Sequence, residues 1–204
     1  MEPGRQVQCL LVTSGSQPAL CPDNDVFRRQ FEQLSADADA LIAPLTEEAF
    51  NWQPSPTSWS VGQCVEHLNV SARQYLPAMD EAIASAIRRS LFNEGPFTYN
   101  WIGRLVVASM EPPPRYKFTS PKILRPQETR SPADVLAGFR AYQVQYIDRL
   151  HAANGLDLAR ARVHSPAAAW LWLPLGSAFA LMAAHERRHL WQARQVLAAR
   201  RQRA

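Results

Sequence analysis

Apolar residues recur with helical spacing in four stretches of this chain. Phe27, Phe31, Leu34, Ala38, Leu41 and Ile42 follow one face of a helix that stops by Pro44. A second face runs through Cys64, Leu68, Tyr75, Met79 and Ile83, on a helix from Ser60 to the neighbourhood of Arg89 that Pro77 is expected to bend. Val135, Phe139, Tyr142, Tyr146 and Leu150 form a third, opened by Ser131 as N-cap with Pro132 at the first helical position and closed by Asn154-Gly155. The fourth starts between Pro174 and Ser177 and carries Ala178, Met182, His185, His189, Gln192 and Val196 at spacings that alternate between 4 and 3. Thr98 to Met110 reads as a short extra helix containing Trp101, and neither strand alternation nor an internal repeat stands out. Four amphipathic helices bury their faces against one another, so the predicted fold class is all-α.

Two residues on the fourth face are unusual there. His185 and His189 occupy positions where a core helix would carry Leu or Val. Four residues of separation set their rings about 40° apart around the helix, one turn above the other. Buried imidazoles need hydrogen-bond partners or a cation, and two that point the same way suit a divalent metal. The run His185-Glu186-Arg187-Arg188-His189 spells H-E-x-x-H, the zinc-peptidase pattern. That reading meets two obstacles. Leu190 to Ala204 holds no Asp, Glu, His or Cys to act as a downstream third ligand, and Arg187 and Arg188 beside Glu186 suggest a solvated, ion-paired face.

A third ligand therefore has to come from upstream, where the histidines are His67, His151 and His164. His151 falls at a helix end, where an imidazolium complements the carbonyls. His164 lies in a loop ahead of Ser165-Pro166 that nothing in the sequence fixes. His67 is the favoured candidate. Ser60 and Gln63 form a capping box, flanked by Trp59 and Cys64 as a hydrophobic staple, and this fixes the helix start just ahead of His67.

Composition narrows the class without deciding it. A chain of 204 residues that is 47% hydrophobic can build one domain with a real core. Leu10-Leu11-Val12 is too short an apolar run for a secretory signal, and no stretch is long enough to cross a membrane. Three cysteines, Cys9, Cys21 and Cys64, make no disulfide framework, so a reducing cytoplasm is the expected location. The net charge of +4 is concentrated at one end: from Glu186 onward there are six arginines and one acid. Lys occurs only at 117 and 122, and no basic stripe alternates with aromatics, which argues against nucleic acid as a partner.

Trp59-Ser60-Val61-Gly62-Gln63-Cys64-Val65-Glu66-His67-Leu68, followed far downstream by His185-x-x-x-His189-Leu190-x-Gln192, resembles the DinB-like (YfiT-like) superfamily. Leu45-Thr46-Glu47-Glu48, Asn51-Trp52 and Leu173-Pro174-Leu175-Gly176 resemble it too. The resemblance covers residues 24–200 and implies a four-helix bundle with a three-histidine metal site, which maps onto His67, His185 and His189. It also implies homodimers and, in some members, transfer of a low-molecular-weight thiol to an electrophile. Three neutral imidazoles with open positions beside them suit Zn²⁺ or Ni²⁺.

The chain departs from a plain family member in several places. Residues 1–23 form an N-terminal extension without a counterpart, residues 201–204 a short basic tail, and Glu111-Pro112-Pro113-Pro114 opens a Pro-rich insertion that lasts to Ser131. Cys64, one turn before His67, reads as a small buried apolar residue and not as a ligand. Trp52, Trp59, Trp170 and Trp172 are candidates to line an apolar pocket over the metal or to pack in a core or dimer contact. The expected function is a divalent-metal-dependent enzyme acting on a small molecule, a thiol S-transferase. The alternative is a non-catalytic bundle that a metal braces.

Overall fold

The computed structural model describes residues 19–99, 101–114, 120–126 and 131–203. Most of the N-terminal extension, with Cys9 and the Leu10–Val12 run, lies outside them, as do Lys117 and much of the Pro-rich insertion. Six helices are present among the described residues: α1 (Pro22–Ile42), α2 (Glu47–Asn51), α3 (Val61–Arg88), α4 (Trp101–Met110), α5 (Pro132–Ala152) and α6 (Leu175–Arg201). A 3-10 turn at Lys122–Leu124 and a small antiparallel hairpin, β1 (Arg162–His164) with β2 (Trp172–Pro174), complete the described elements.

The all-α expectation holds, and α1, α3, α5 and α6 form the four-helix bundle. Both α1 and α3 pack against α5 and α6, so α1 lies diagonally opposite α3. Phe31 of α1 stacks on Tyr146 of α5 with ring centres 4.7 Å apart, and Phe27 meets Phe179 of α6 at 5.9 Å. Met79, Phe139 and Leu190 are fully buried in the same core. Outside the bundle, α4 covers α6, and α2 lies on α3. No helix is long and apolar enough to cross a membrane among the described residues.

The helix starts follow the capping residues. Ser60 Oγ accepts from the Gln63 amide at 3.1 Å, and the Ser60 amide donates back to Gln63 Oε1 at 3.0 Å, which is the predicted capping box. Ser131 Oγ accepts from the Asp134 amide at 3.1 Å, with Pro132 opening α5. α3 continues through Pro77 to Arg88. Where Gly62 faces Phe50, a Cβ would lie 2.5 Å from the phenyl ring, so α2 approaches α3 this closely only over glycine.

Two features differ from the sequence reading. The first is the hairpin, whose strands of three residues each are too short to show alternation beyond the single buried pair Val163 and Leu173. It has a clear structural task. α6 begins at Pro174 with no side-chain cap, and the Leu175 and Gly176 amides donate instead to the carbonyls of Ala161 (2.9 Å) and Leu158 (3.1 Å). The segment before α6 thereby sets where that helix starts, and with it the direction in which His185 and His189 point.

The second concerns α6 itself. Its buried residues do not form one stripe. Phe179, Ala183, Glu186, Leu190, Ala193 and Leu197 make a second seam, offset by one residue from the seam of Ala178, Met182, His189 and Val196. Because α1, α3 and α4 all pack on α6, the face expected to be solvated around Glu186 is buried.

Candidate metal centre

His67 lies in the second turn of α3, and His185 and His189 in the middle of α6, the helix that α3 packs against. The three imidazoles converge. Their ring centres lie 4.5 to 4.9 Å apart, and the planes cross at 66°, 77° and 81°, edge against face. One nitrogen from each ring falls within 4.8 Å of the other two, so the trio can hold a metal ion.

A hydrogen bond from outside the trio orients one of the rings. His67 Nδ1–H donates to the Leu124 carbonyl at 2.5 Å, which leaves Nε2 as the lone-pair nitrogen. That Nε2 faces His185 Nε2 at 3.1 Å. Two ring nitrogens this close share either a proton or a cation. Nitrogens about 2.0–2.1 Å from a tetrahedral Zn²⁺ stand about 3.3–3.4 Å from each other, close to the separation seen here. The Leu124 carbonyl is the usual kind of outer partner for a metal-ligating histidine. It comes from the 3-10 turn of the Pro-rich insertion, which lies against α3. The insertion is thus part of the site.

Burial keeps the rings neutral. It lowers the pKa of His67, against which the Leu124 bond pulls upward. It brings His185 down to about 3, with the neighbouring His67 and Arg188 adding to the effect. His189 falls well below the usual imidazole value, first by burial and then through His185, His67 and Arg188. Neutral imidazoles are the ligand form, so the donor set suits a divalent cation at physiological pH.

The trio opens onto a cavity of about 820 Å³. Trp59, the residue before the Ser60 cap, lies over two of the rings, with its ring centre 5.0 Å from His67 and 5.7 Å from His189. Trp191, Tyr75, Leu124 and Arg188 continue the wall. Tyr75 packs at the same spot with its hydroxyl 2.9 Å from Ser165 Oγ.

Residues 30–193 match the family model described as the DinB superfamily. The chain belongs to the DinB superfamily. No curated protein and no solved structure matches it. Within this DinB-superfamily bundle the remaining candidates lie away from the trio. His151 is in the last turn of α5, off the cavity wall. His164 is on β1, with Nε2 2.7 Å from the Ala169 carbonyl and its ring 4.8 Å from Trp172. Of the four tryptophans proposed for the pocket, only Trp59 lines it. Trp170 and Trp172 are 80% and 58% exposed, and Trp52 lies beneath the Arg203 guanidinium at 5.8 Å.

Glu186 corrects the sequence reading most sharply. It is buried, its Oε1 accepts from Gln143 Nε2 of α5 at 3.1 Å, and it is absent from the cavity wall. A peptidase base has to reach a water at the metal, and this carboxyl points into the bundle instead. Arg187 pairs with Glu111 and donates to Gln30, while Arg188 Nη1 donates to the Ser109 carbonyl at 3.1 Å, so this face is covered rather than solvated.

Sequence reasoning missed Leu124, Trp191 and Arg188. Arg188 carried a signal, since it falls three residues after His185 on the same helix. Leu124 acts through its backbone, which no side-chain pattern reveals.

Cys64 is fully buried, and burial pushes its thiol up to about 12. It is expected to resist a disulfide-exchange reagent until the chain is unfolded, while the partly exposed Cys21 reacts in the native protein. Rapid native labelling of Cys64 would contradict the packing described here.

Proposed function

We propose that the chain is a divalent-metal-dependent enzyme acting on a small molecule, a transferase that joins a low-molecular-weight thiol to an electrophile. The observation that carries this reading is the placement of three neutral imidazoles on the wall of a cavity large enough for a substrate. His67, His185 and His189 would hold the ion, with Zn²⁺ or Ni²⁺ as the cations that suit imidazole. When bound, the ion supplies a Lewis acid that lowers the pKa of a thiol or water beside it. The chain's own residues do the rest. The Leu124 carbonyl holds His67 in one tautomer, Trp59 shields two imidazoles from solvent, and Trp191 adds aromatic surface for a substrate. A reducing cytoplasm, where free thiols are abundant, and assembly as a homodimer belong to the same proposal.

The competing reading is a bundle that the metal only braces. It draws on the fact that the trio joins α3 to α6, so a shared cation would tie two helices together. The cobalt-substituted protein separates the two. The transferase reading expects cysteine, glutathione or coenzyme A to change its visible and near-ultraviolet spectrum, and one of them to be consumed only when an electrophile is added. A spectrum that no thiol alters, with no turnover, would leave the bracing role.

A further inference from the structure

The cavity does not end at the histidines. Contacts between the helices set their directions. Asn69 meets Val135 and Asp80 meets Arg149, so α3 and α5 run in the same sense. Asn24 meets Leu150 and Asp39 meets Arg140, so α1 runs against α5. Phe27 meets Phe179 and Asp37 meets Arg194, so α6 follows α1. α3 and α6 are therefore antiparallel. Ser71 and Tyr75, one and two turns beyond His67, lie at the same end of the groove as Leu181 and Met182, one turn before His185.

These four side chains all line the cavity, and each is 5% exposed or less. They form an inner arm behind the trio. The exposed lining residues are elsewhere: Thr57 ahead of α3 and Gln195 beyond His189 at the other end of the groove, Pro121 and Arg125 on the insertion.

None of the four is charged, and the two hydroxyls among them are engaged. Ser71 Oγ donates to the His67 carbonyl at 2.8 Å, and the Tyr75 hydroxyl lies against Ser165 Oγ at 2.9 Å and the Ala167 backbone. An ion moved against these side chains gives up its water and finds no countercharge among them. A methylene group gains by leaving water. The charged groups of cysteine or glutathione do not fit such a space, whereas an apolar co-substrate does.

We infer that the inner arm between α3 and α6 is the electrophile's subsite and takes an uncharged apolar group, an alkyl chain or small ring, laid against Tyr75, Leu181 and Met182. Naming the occupant an electrophile rests on the transferase reading above. The preference for an apolar group stands on the four side chains.

The test uses straight-chain alcohols from 1-propanol to 1-octanol on the chelator-treated protein, so that neither metal nor turnover enters. Binding is read from tryptophan fluorescence and from the NMR spectrum of protein labelled with ¹³C-methyl methionine. Affinity is expected to rise about fourfold with each added methylene and to level off once the arm is full. The Met182 methyl signal, assigned with the volume-conserving Met182→Leu, is expected to shift saturably, while that of Met79, fully buried in the core, stays in place. Met182→Trp is expected to fill the arm and flatten the dependence on chain length. The methyl spectrum of the unaltered chain carries the test where that variant fails to fold.

Equal affinity along the series overturns the inference, and so does binding that leaves the Met182 methyl unmoved. A chain-length dependence that folded Met182→Trp retains overturns it as well. A rising series that moves Met182 upholds the apolar subsite. Where it does so and no thiol alters the cobalt spectrum, the transferase reading falls and takes with it only the occupant's assignment as an electrophile.

Discussion

Replacing His185 with alanine is expected to take the divalent metal of the purified protein from about one equivalent per chain to less than about a tenth, with the helical circular dichroism retained. His185 is one corner of a nearly equilateral triangle of rings, and its Nε2 is the atom that faces His67 Nε2 at 3.1 Å. Without it the two remaining imidazoles are on different helices, with no third nitrogen to close the set. Loss of an outer hydrogen-bond partner alone typically lowers metal affinity about 10- to 100-fold, and loss of a direct ligand exceeds that. His67→Ala and His189→Ala are expected to behave alike. His151→Ala and His164→Ala serve as controls and keep full metal content, since neither ring reaches the trio. Elemental analysis of the six proteins reads the result. Retention of the ion in all three cavity variants would place it elsewhere or make it adventitious.

The convergence of these three histidines was legible in the sequence for a physical reason. A helix converts a spacing of four into a shared direction, so His185 and His189 were bound to point together once α6 formed. The capping box at Ser60 and Gln63 is local chemistry, readable without knowing the fold, and it fixed the turn that carries His67. The resemblance to the DinB-like superfamily then joined two distant segments, which spacing alone does not do. The structure supplies the missing contact through α3 and α6.

What was not legible depends on surroundings. The pattern of α6 shows one apolar stripe interrupted by histidines, and the charged run from Glu186 to Arg188 looks solvated. In the fold the helix is surrounded, so a second seam displaced by one residue is buried as well, and it carries Glu186 inward. The histidine stripe becomes a cavity wall instead of a core. Trp170 and Trp172 failed as pocket residues for a related reason: they belong to the exposed side of the hairpin, while Trp191 reached the cavity from α6. The Pro-rich insertion reads as a departure from the family, yet it supplies the carbonyl that orients His67. A backbone oxygen has no signature in a sequence.

The displaced seam has a measurable consequence in the dependence of stability on pH. Glu186 is buried against Gln143, its Oε2 has no hydrogen-bond partner, and burial raises its pKa from 4.5 to about 8. The carboxyl is therefore neutral in the folded chain over a range where it ionises in the unfolded one. Its contribution is fully present below pH 4.5 and is lost as pH rises towards 8, with a slope that approaches about 1.4 kcal/mol per unit. The neutral histidines work in the opposite sense: the stability they confer is present above 6.5 and lost as the pH falls, towards about 3 for His185. In Glu186→Gln the amide preserves the acceptor for Gln143 and removes the titration. Both proteins keep the histidines, so the difference between their stabilities isolates the carboxyl. In chelator-treated samples unfolded by urea between pH 5 and 8, the variant is expected to gain on the wild type steadily, by a few kcal/mol across the range. A flat difference would mean that Glu186 ionises normally and is not buried as described. The variant is also expected to bind as much metal as the wild type, because its carboxyl is directed at α5 and not at the cavity. Loss of the ion on that single change would return Glu186 to the site and reopen the peptidase reading.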